Sequence, residues 1–146
     1  MKKIGLLLLV CQTLLFYQNQ VFAEGLKLTS SNLKETSNYK KAYFAGGCFW
    51  CMEESFDKVG GVIKSVSGYS GGHLKNPTYE DVIYKDTGHV EAIEITYDPK
   101  KVSYKTLVEV FWKNIDPFDK YGQFCDKGKS YRSVAFYKDN KQKKII

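Results

Sequence analysis

The chain is poor in arginine. Of its 22 Lys and Arg residues only Arg132 is an arginine, although the formal net charge is +6. Bidentate guanidinium contacts to bases are therefore excluded as a main binding mode. The lysines are scattered rather than striped, so the charge reads as a soluble basic surface and not as a nucleic-acid groove. Histidine is also scarce. His73 and His89 do not fit the spacing of common zinc modules, and there is no second C-x-x-C, so no metal site is expected. Internal repeats are absent. Long hydrophobic runs are absent too: the longest mostly apolar segment, Ile4 to Phe16, falls short of the ~20 residues that a membrane-spanning helix needs. What remains is a chain of 146 residues, 43% hydrophobic and 26% charged, which fits a single globular domain.

The N-terminus is organised for export. Met1-Lys2-Lys3 is a basic start, the apolar segment follows, and Val21-Phe22-Ala23 precedes Glu24. These are the parts of a secretory signal over residues 1–23, cleaved after Ala23. An uncleaved anchor is the alternative. Cys11 does not read as a lipid-attachment site, because Val10 stands where a small residue is expected. The protein is thus expected to be periplasmic or secreted, touching the membrane only transiently during export. Residues 24–40 are polar and read as a flexible leader, with the folded domain over residues 41–146. Removal of the signal leaves Cys48, Cys51 and Cys125. An odd number of cysteines in an oxidising compartment points to a reactive thiol rather than a stapled scaffold.

Periodicity predicts a short buried strand at Ala42 to Ala45, broken by Gly46-Gly47, and a helix from Cys48 to about Val59. A second strand covers Val62 to Tyr69, with Val62, Lys64, Val66 and Gly68 on one side. Thr78 caps a short helix over Tyr79 to Tyr84. In a third strand, Val90 to Tyr97, Glu91 shares a face with Ile93, Ile95 and Tyr97. Ser103 caps a helix whose stripe is Leu107, Val108, Phe111 and Trp112. Phe118 to Lys129 reads as an irregular loop, Ser133 to Tyr137 as a last strand, and Lys138 to Lys144 as a solvated basic end. The order fits an α+β, ferredoxin-like two-layer sandwich, with helices on one face of a small mixed sheet. A thioredoxin-like layout is the competitor from pattern alone.

The chemistry concentrates at Gly46-Gly47-Cys48-Phe49-Trp50-Cys51. Two glycines turn a buried strand sharply into a helix and leave the thiol accessible. The free N–H groups at the start of that helix favour a thiolate on Cys48. Cys51, one turn on, is within disulfide reach. The plain rival is a pair of buried core cysteines.

At these residues the sequence resembles the peptide methionine sulfoxide reductase A family. The run Gly47-Cys48-Phe49-Trp50-Cys51 with Glu53 carries the resemblance. It continues through Ser67-Gly68-Tyr69-Ser70-Gly71-Gly72, Asn76-Pro77-Thr78-Tyr79, Thr87-Gly88-His89-Val90-Glu91-Ala92 and Tyr97-Asp98-Pro99. Phe111-Trp112, Asp116-Pro117, Asp126-Lys127-Gly128 and Ser130-Tyr131-Arg132-Ser133 complete it. The resemblance implies reduction of the S epimer of methionine sulfoxide, free or in oxidised proteins. Cys48 would be the nucleophile and Glu91 the general acid. Tyr79 and Tyr131 would donate hydrogen bonds to the sulfoxide oxygen, and Phe49 and Trp50 would form the methyl pocket. Asp126 would help fix Cys48 and the oxygen site. The product would be a Cys48 sulfenic acid, resolved as a disulfide by Cys51 or Cys125, with Cys51 preferred for its place on the helix. No bound cofactor is implied, only a thioredoxin-type dithiol as electron donor.

Each role has a plainer rival. Glu91 is equally a solvent-facing carboxylate on a strand, Tyr79 and Tyr131 ordinary half-buried tyrosines, and Phe49 and Trp50 plain core. Tyr69, in a glycine-flanked loop, is a candidate pocket lining that is not counted among the site residues, and His89 reads as a satisfied structural histidine. The chain departs from the family where many relatives have Gly in place of Cys51 and carry resolving cysteines in a C-terminal tail. It stops at Ile146 where relatives continue with a closing helix, so a C-terminally truncated domain is expected. Two other classes compete: a thioredoxin-like dithiol–disulfide oxidoreductase using Cys48 and Cys51, and a secreted binding module that needs no thiol.

Overall fold

The computed structural model describes residues 38–146. The predicted signal over residues 1–23 and the leader as far as Ser37 lie outside the described residues.

Strand β1 (Lys40–Ala45) buries Ala42, Phe44 and Ala45 and runs into helix α1 (Phe49–Asp57). Strand β2 (Val62–Ser70) follows, then helix α2 (Tyr79–Tyr84), strand β3 (Val90–Tyr97) and helix α3 (Tyr104–Lys113). Thr78 and Asp81 close a capping box at α2, and the Ser103 hydroxyl accepts from the Thr106 N–H at α3. Both starts lie where the Ser/Thr signals put them. Strand β6 (Val134–Phe136) completes a four-stranded sheet of order β2-β3-β1-β6.

The α+β two-layer arrangement is as expected, but the sheet is not mixed. Every pairing in it is antiparallel. β1 and β2 run the same way, yet β3 enters between them, so the two like-directed strands never meet. That is a split β-α-β unit. A β-α-β unit with adjacent parallel strands, on which the thioredoxin-like competitor rests, is not found among the described residues.

One face of the sheet carries the core. Phe44, Ile93, Ile95 and Tyr97 pack under Met52 and Phe56 of α1 and Leu107, Val108 and Phe111 of α3. The Phe44 ring stacks at 5.5 Å from Phe56 and 4.9 Å from Phe111. Hydrogen bonds from Ser65 to Asp57 and from Ser67 to Glu53 tie α1 to β2. Because Phe44 touches both helices, Phe44→Ala is expected to lower stability by about 3–5 kcal/mol, read from urea unfolding of the purified domain. Against a typical total of about 5–15 kcal/mol, that is a large fraction of the stability, and it leaves a chain at the low end of that range marginally folded.

Two segments differ from expectation. The stretch read as an irregular loop contains a two-stranded hairpin, β4 (Gly122–Gln123) with β5 (Asp126–Lys127), and a 3-10 turn at Lys129–Tyr131. Two-residue strands show no periodicity. The hairpin is anchored by Gln123, whose buried side chain accepts from the Asp116 N–H at 2.6 Å and donates to the Gly122 carbonyl at 2.7 Å. Nor is the basic end simply solvated. Asp139 caps a short helix α4 (Asn140–Lys143), and buried Gln142 accepts from the Lys138 N–H at 2.8 Å. Four lysines around Gln142 mask that cap in the sequence.

Candidate active site

The turn from β1 into α1 requires glycine at position 47. Its φ is +86°, and a Cβ there would lie 2.7 Å from Gln123 Cβ. The hairpin anchor and the glycine turn are therefore in contact, which places β4–β5 beside the helix start. Cys48 is the N-cap residue of α1 and half-buried. The first turn of that helix carries no acidic residue of its own, so the positive helix end lies at Cys48 with no charge from its own segment opposing it.

Glu91 occupies the face of β3 that alternation assigned to it and is 2% exposed, which rejects the solvent-facing rival. Its Oε2 accepts the Phe49 backbone N–H at 3.0 Å. This bond joins β3 directly to the residue after Cys48. Burial pushes the Glu91 carboxyl above the ordinary carboxylate range, the Phe49 N–H works against that, and the nearby charge of Asp126 adds to it. Burial thus shifts Glu91 toward the protonated form, the direction a general acid requires.

Tyr79 opens α2 and Tyr131 closes the 3-10 turn, and their hydroxyls are near enough to interact. Burial holds the Tyr131 phenol far above its usual value, helped by the interaction with Tyr79 and by the charges of Glu91 and Asp126. That direction favours the O–H form of Tyr131, the form that donates a hydrogen bond. Asp126, on β5, lies within electrostatic reach of Glu91, Cys51 and Tyr131.

Cys48, Cys51, Cys125 and Asp126 line one cleft of about 420 Å³, walled by Met52 and Lys113. Cys51 lies one helical turn from Cys48, and the interaction between the two thiols, more than burial, raises the Cys51 thiol above its ordinary value. Cys51 and Cys125 are both exposed. Cys125 sits at the tip of the β4–β5 hairpin next to Phe124, whose φ is +51°. Among the described residues no group of three His, Cys, Asp or Glu side chains is placed to hold a metal ion.

Phe49 is a partly buried wall with its ring 5.6 Å from Trp50 and 5.8 Å from Tyr69. Trp50 is 72% exposed, so it stands at the rim of the site and is not plain core. His89 corrects an expectation. It is buried, but its Nδ1 has no hydrogen-bond partner and is not satisfied. Gly72 packs so closely on the imidazole that a side chain there has no room; steric fit to backbone holds this ring where a polar partner was expected. Gln123, which the sequence left without a role, and Tyr69, which it offered only as a candidate pocket lining, contribute to the site. The signal for Tyr69 is its register opposite Glu91, which appears once β2 and β3 are paired.

A family model described as peptide methionine sulfoxide reductase matches residues 40–146. A curated relative from Streptococcus uberis, named peptide methionine sulfoxide reductase MsrA, is 53% identical over 106 residues, covering 73% of this chain and 63% of its own length. The relative of the same name from Streptococcus mutans is 54% identical over 106 residues with the same coverage. Among solved structures, methionine sulfoxide reductase A of Corynebacterium diphtheriae superposes with a TM-score of 0.69 at 30% identity, covering 74% of this chain and 54% of that one. Mxr1 from Saccharomyces cerevisiae in reduced form gives 0.69 at 28% identity, covering 75% of this chain and 67% of that one. The chain spans just under two thirds of the length of these curated relatives.

Proposed function

The chain belongs to the peptide methionine sulfoxide reductase family, and from that premise we propose that it reduces the S epimer of methionine sulfoxide, free or in oxidised proteins, with Cys48 as nucleophile. The observation that carries the proposal is the buried Glu91 carboxyl, bonded to the Phe49 N–H and therefore next to Cys48.

The Cys48 sulfur attacks the sulfoxide sulfur while Glu91 gives its proton to the sulfoxide oxygen. Tyr79 and Tyr131 donate to the same oxygen as charge develops on it. Phe49 faces the apolar part of the substrate, with Trp50 at the rim. Oxygen transfers to Cys48, methionine leaves, and a sulfenic acid remains. Cys51 then condenses with it, forming the Cys48–Cys51 disulfide and releasing water. An external dithiol of the thioredoxin type supplies the two electrons that restore both thiols. The signal-like pattern over residues 1–23 supports repair in the periplasm or outside the cell, and a donor serving it there would also have to be exported.

Cys51 is favoured as the resolving thiol because it lies one helical turn from Cys48 and the two thiols interact. Cys125 lines the same cleft and is the alternative. Peptide mapping after one turnover without reductant is expected to show Cys48–Cys51. In Cys51→Ser the sulfenic acid should persist long enough for trapping by a 1,3-dione, whereas Cys125→Ser should form the disulfide normally. A Cys48–Cys125 link in the parent protein would reverse the assignment.

The Cys48–Cys51 contact also suits a dithiol–disulfide oxidoreductase. That reading leaves the buried Glu91 and the paired Tyr79 and Tyr131 without a task. Reduction of a protein disulfide in the absence of any sulfoxide turnover would favour it.

A further inference from the structure

We propose that Tyr69 is a positioning residue of this site: its ring shields the Glu91 carboxyl from water on the β2 side and, with Phe49, forms the apolar wall against which the sulfoxide sits. The inference rests on the reading of Glu91 as the general acid.

Three features of the fold converge on Tyr69. In the β2–β3 ladder it stands directly opposite Glu91, and side chains opposite each other across an antiparallel pair share a face with Cβ atoms ~4.5–5.5 Å apart. Its ring is also 5.8 Å from the Phe49 ring, and Phe49 is the residue whose N–H binds the Glu91 carboxyl. Trp50, Phe49 and Tyr69 therefore form one aromatic row along the helix start and the adjacent strand. Finally, β2 is held to α1 by the Ser67–Glu53 hydrogen bond two residues away, so the ring is carried on a strand tied to the same helix as Cys48.

The surroundings leave Tyr69 as the neutral neighbour of the acid. Asp126 from β5 and Tyr131 from the 3-10 turn also lie within electrostatic reach of Glu91, and the Phe49 N–H faces it from α1. Tyr79 and Glu80 of α2 lie within reach of Tyr69. The Phe49 N–H stabilises the charged carboxylate, while Asp126 opposes that charge. Tyr69 acts by excluding water, and removing it admits water to the charged form of Glu91. Burial holds the Tyr69 phenol above its ordinary value, so the ring remains neutral while doing this.

The test is the pH profile of kcat/KM for the S epimer with dithiothreitol, in the parent, Tyr69→Phe, Tyr69→Leu and Tyr69→Thr. A general acid works only while protonated, so activity falls as pH rises through the Glu91 pKa. Tyr69→Thr should move this alkaline limb to lower pH by about one unit, with about tenfold less activity above it. Tyr69→Phe and Tyr69→Leu keep the apolar bulk and should leave the limb at the parent position. Leu, which lacks the flat ring, should also raise KM. Thr suits a strand, and Leu retains most of the volume, so a folding failure in one leaves the other informative. A limb that stays put in Tyr69→Thr, while Glu91→Gln abolishes it, overturns the inference and leaves Glu91 as the acid. A limb still present in Glu91→Gln overturns the Glu91 reading, and the inference with it.

Discussion

Cys48→Ser is expected to lose methionine sulfoxide turnover by a factor on the order of 10⁴ or more, in line with removal of a catalytic nucleophile. The reason is chemical. Reduction requires an atom that can accept the sulfoxide oxygen and later surrender it as water. Sulfur does this through the sulfenic acid, and a serine oxygen has no such oxidation state. The fold has no reason to suffer, because Cys48 is only half-buried and makes no side-chain capping bond; serine is moreover a favoured N-cap. Urea unfolding should place the variant at or slightly above the parent. The measurement is methionine release from the S epimer with dithiothreitol as reductant. Comparable turnover by the folded serine variant would remove Cys48 from the mechanism.

Glu91→Gln carries the second large effect. Loss of a general acid costs about 10²–10⁴ in rate, and Tyr79 with Tyr131 still donates to the oxygen, so a drop of about 10²–10³ is expected. Stability should move the other way. The folded state holds the Glu91 carboxyl above its ordinary range because it is buried, so the folded chain binds more protons than the unfolded chain between the two pKa values. Stability therefore declines as pH rises from the unfolded pKa through the folded one. Glutamine has no charge to desolvate, and its side-chain oxygen can still accept the Phe49 N–H. The variant should be at least as stable as the parent near neutral pH, and its advantage should shrink as pH falls toward about 4, near the reference value for glutamate, and be gone below it. A slower but more stable protein is the expected mark of a group kept for chemistry.

Much of this site is legible in the amino-acid sequence. Alternation along Val90 to Tyr97 puts Glu91 on the face of Ile93 and Ile95, and the fold places it there, 2% exposed. Cys48 at a glycine turn into a helix needs only local geometry, as do the caps Thr78 and Ser103. What escapes depends on contacts between distant segments. Nothing local tells β3 to enter between β1 and β2, so the element order suggests a mixed sheet where the pairing is antiparallel throughout. Gln123 gives no signal because its partners, Asp116 and Gly122, offer backbone groups. Tyr69 lies among Gly68, Ser70 and Gly71, where no apolar pattern reveals a face, and its place opposite Glu91 follows only from strand register. Trp50 beside a partly buried Phe49 reads as pocket, yet on the first turn of α1 the next residue points outward, to the rim.

The central claim is that this chain performs one stereoselective oxygen transfer to Cys48. Its most direct test is a single turnover without reductant, using the full chain and separated epimers of methionine sulfoxide, with methionine and free thiols counted together. The account expects about one methionine per chain from the S epimer, none from the R epimer, and the loss of two thiols in a disulfide that contains Cys48. Methionine from neither epimer, or equal release from both, by a folded protein with its thiols reduced would contradict it.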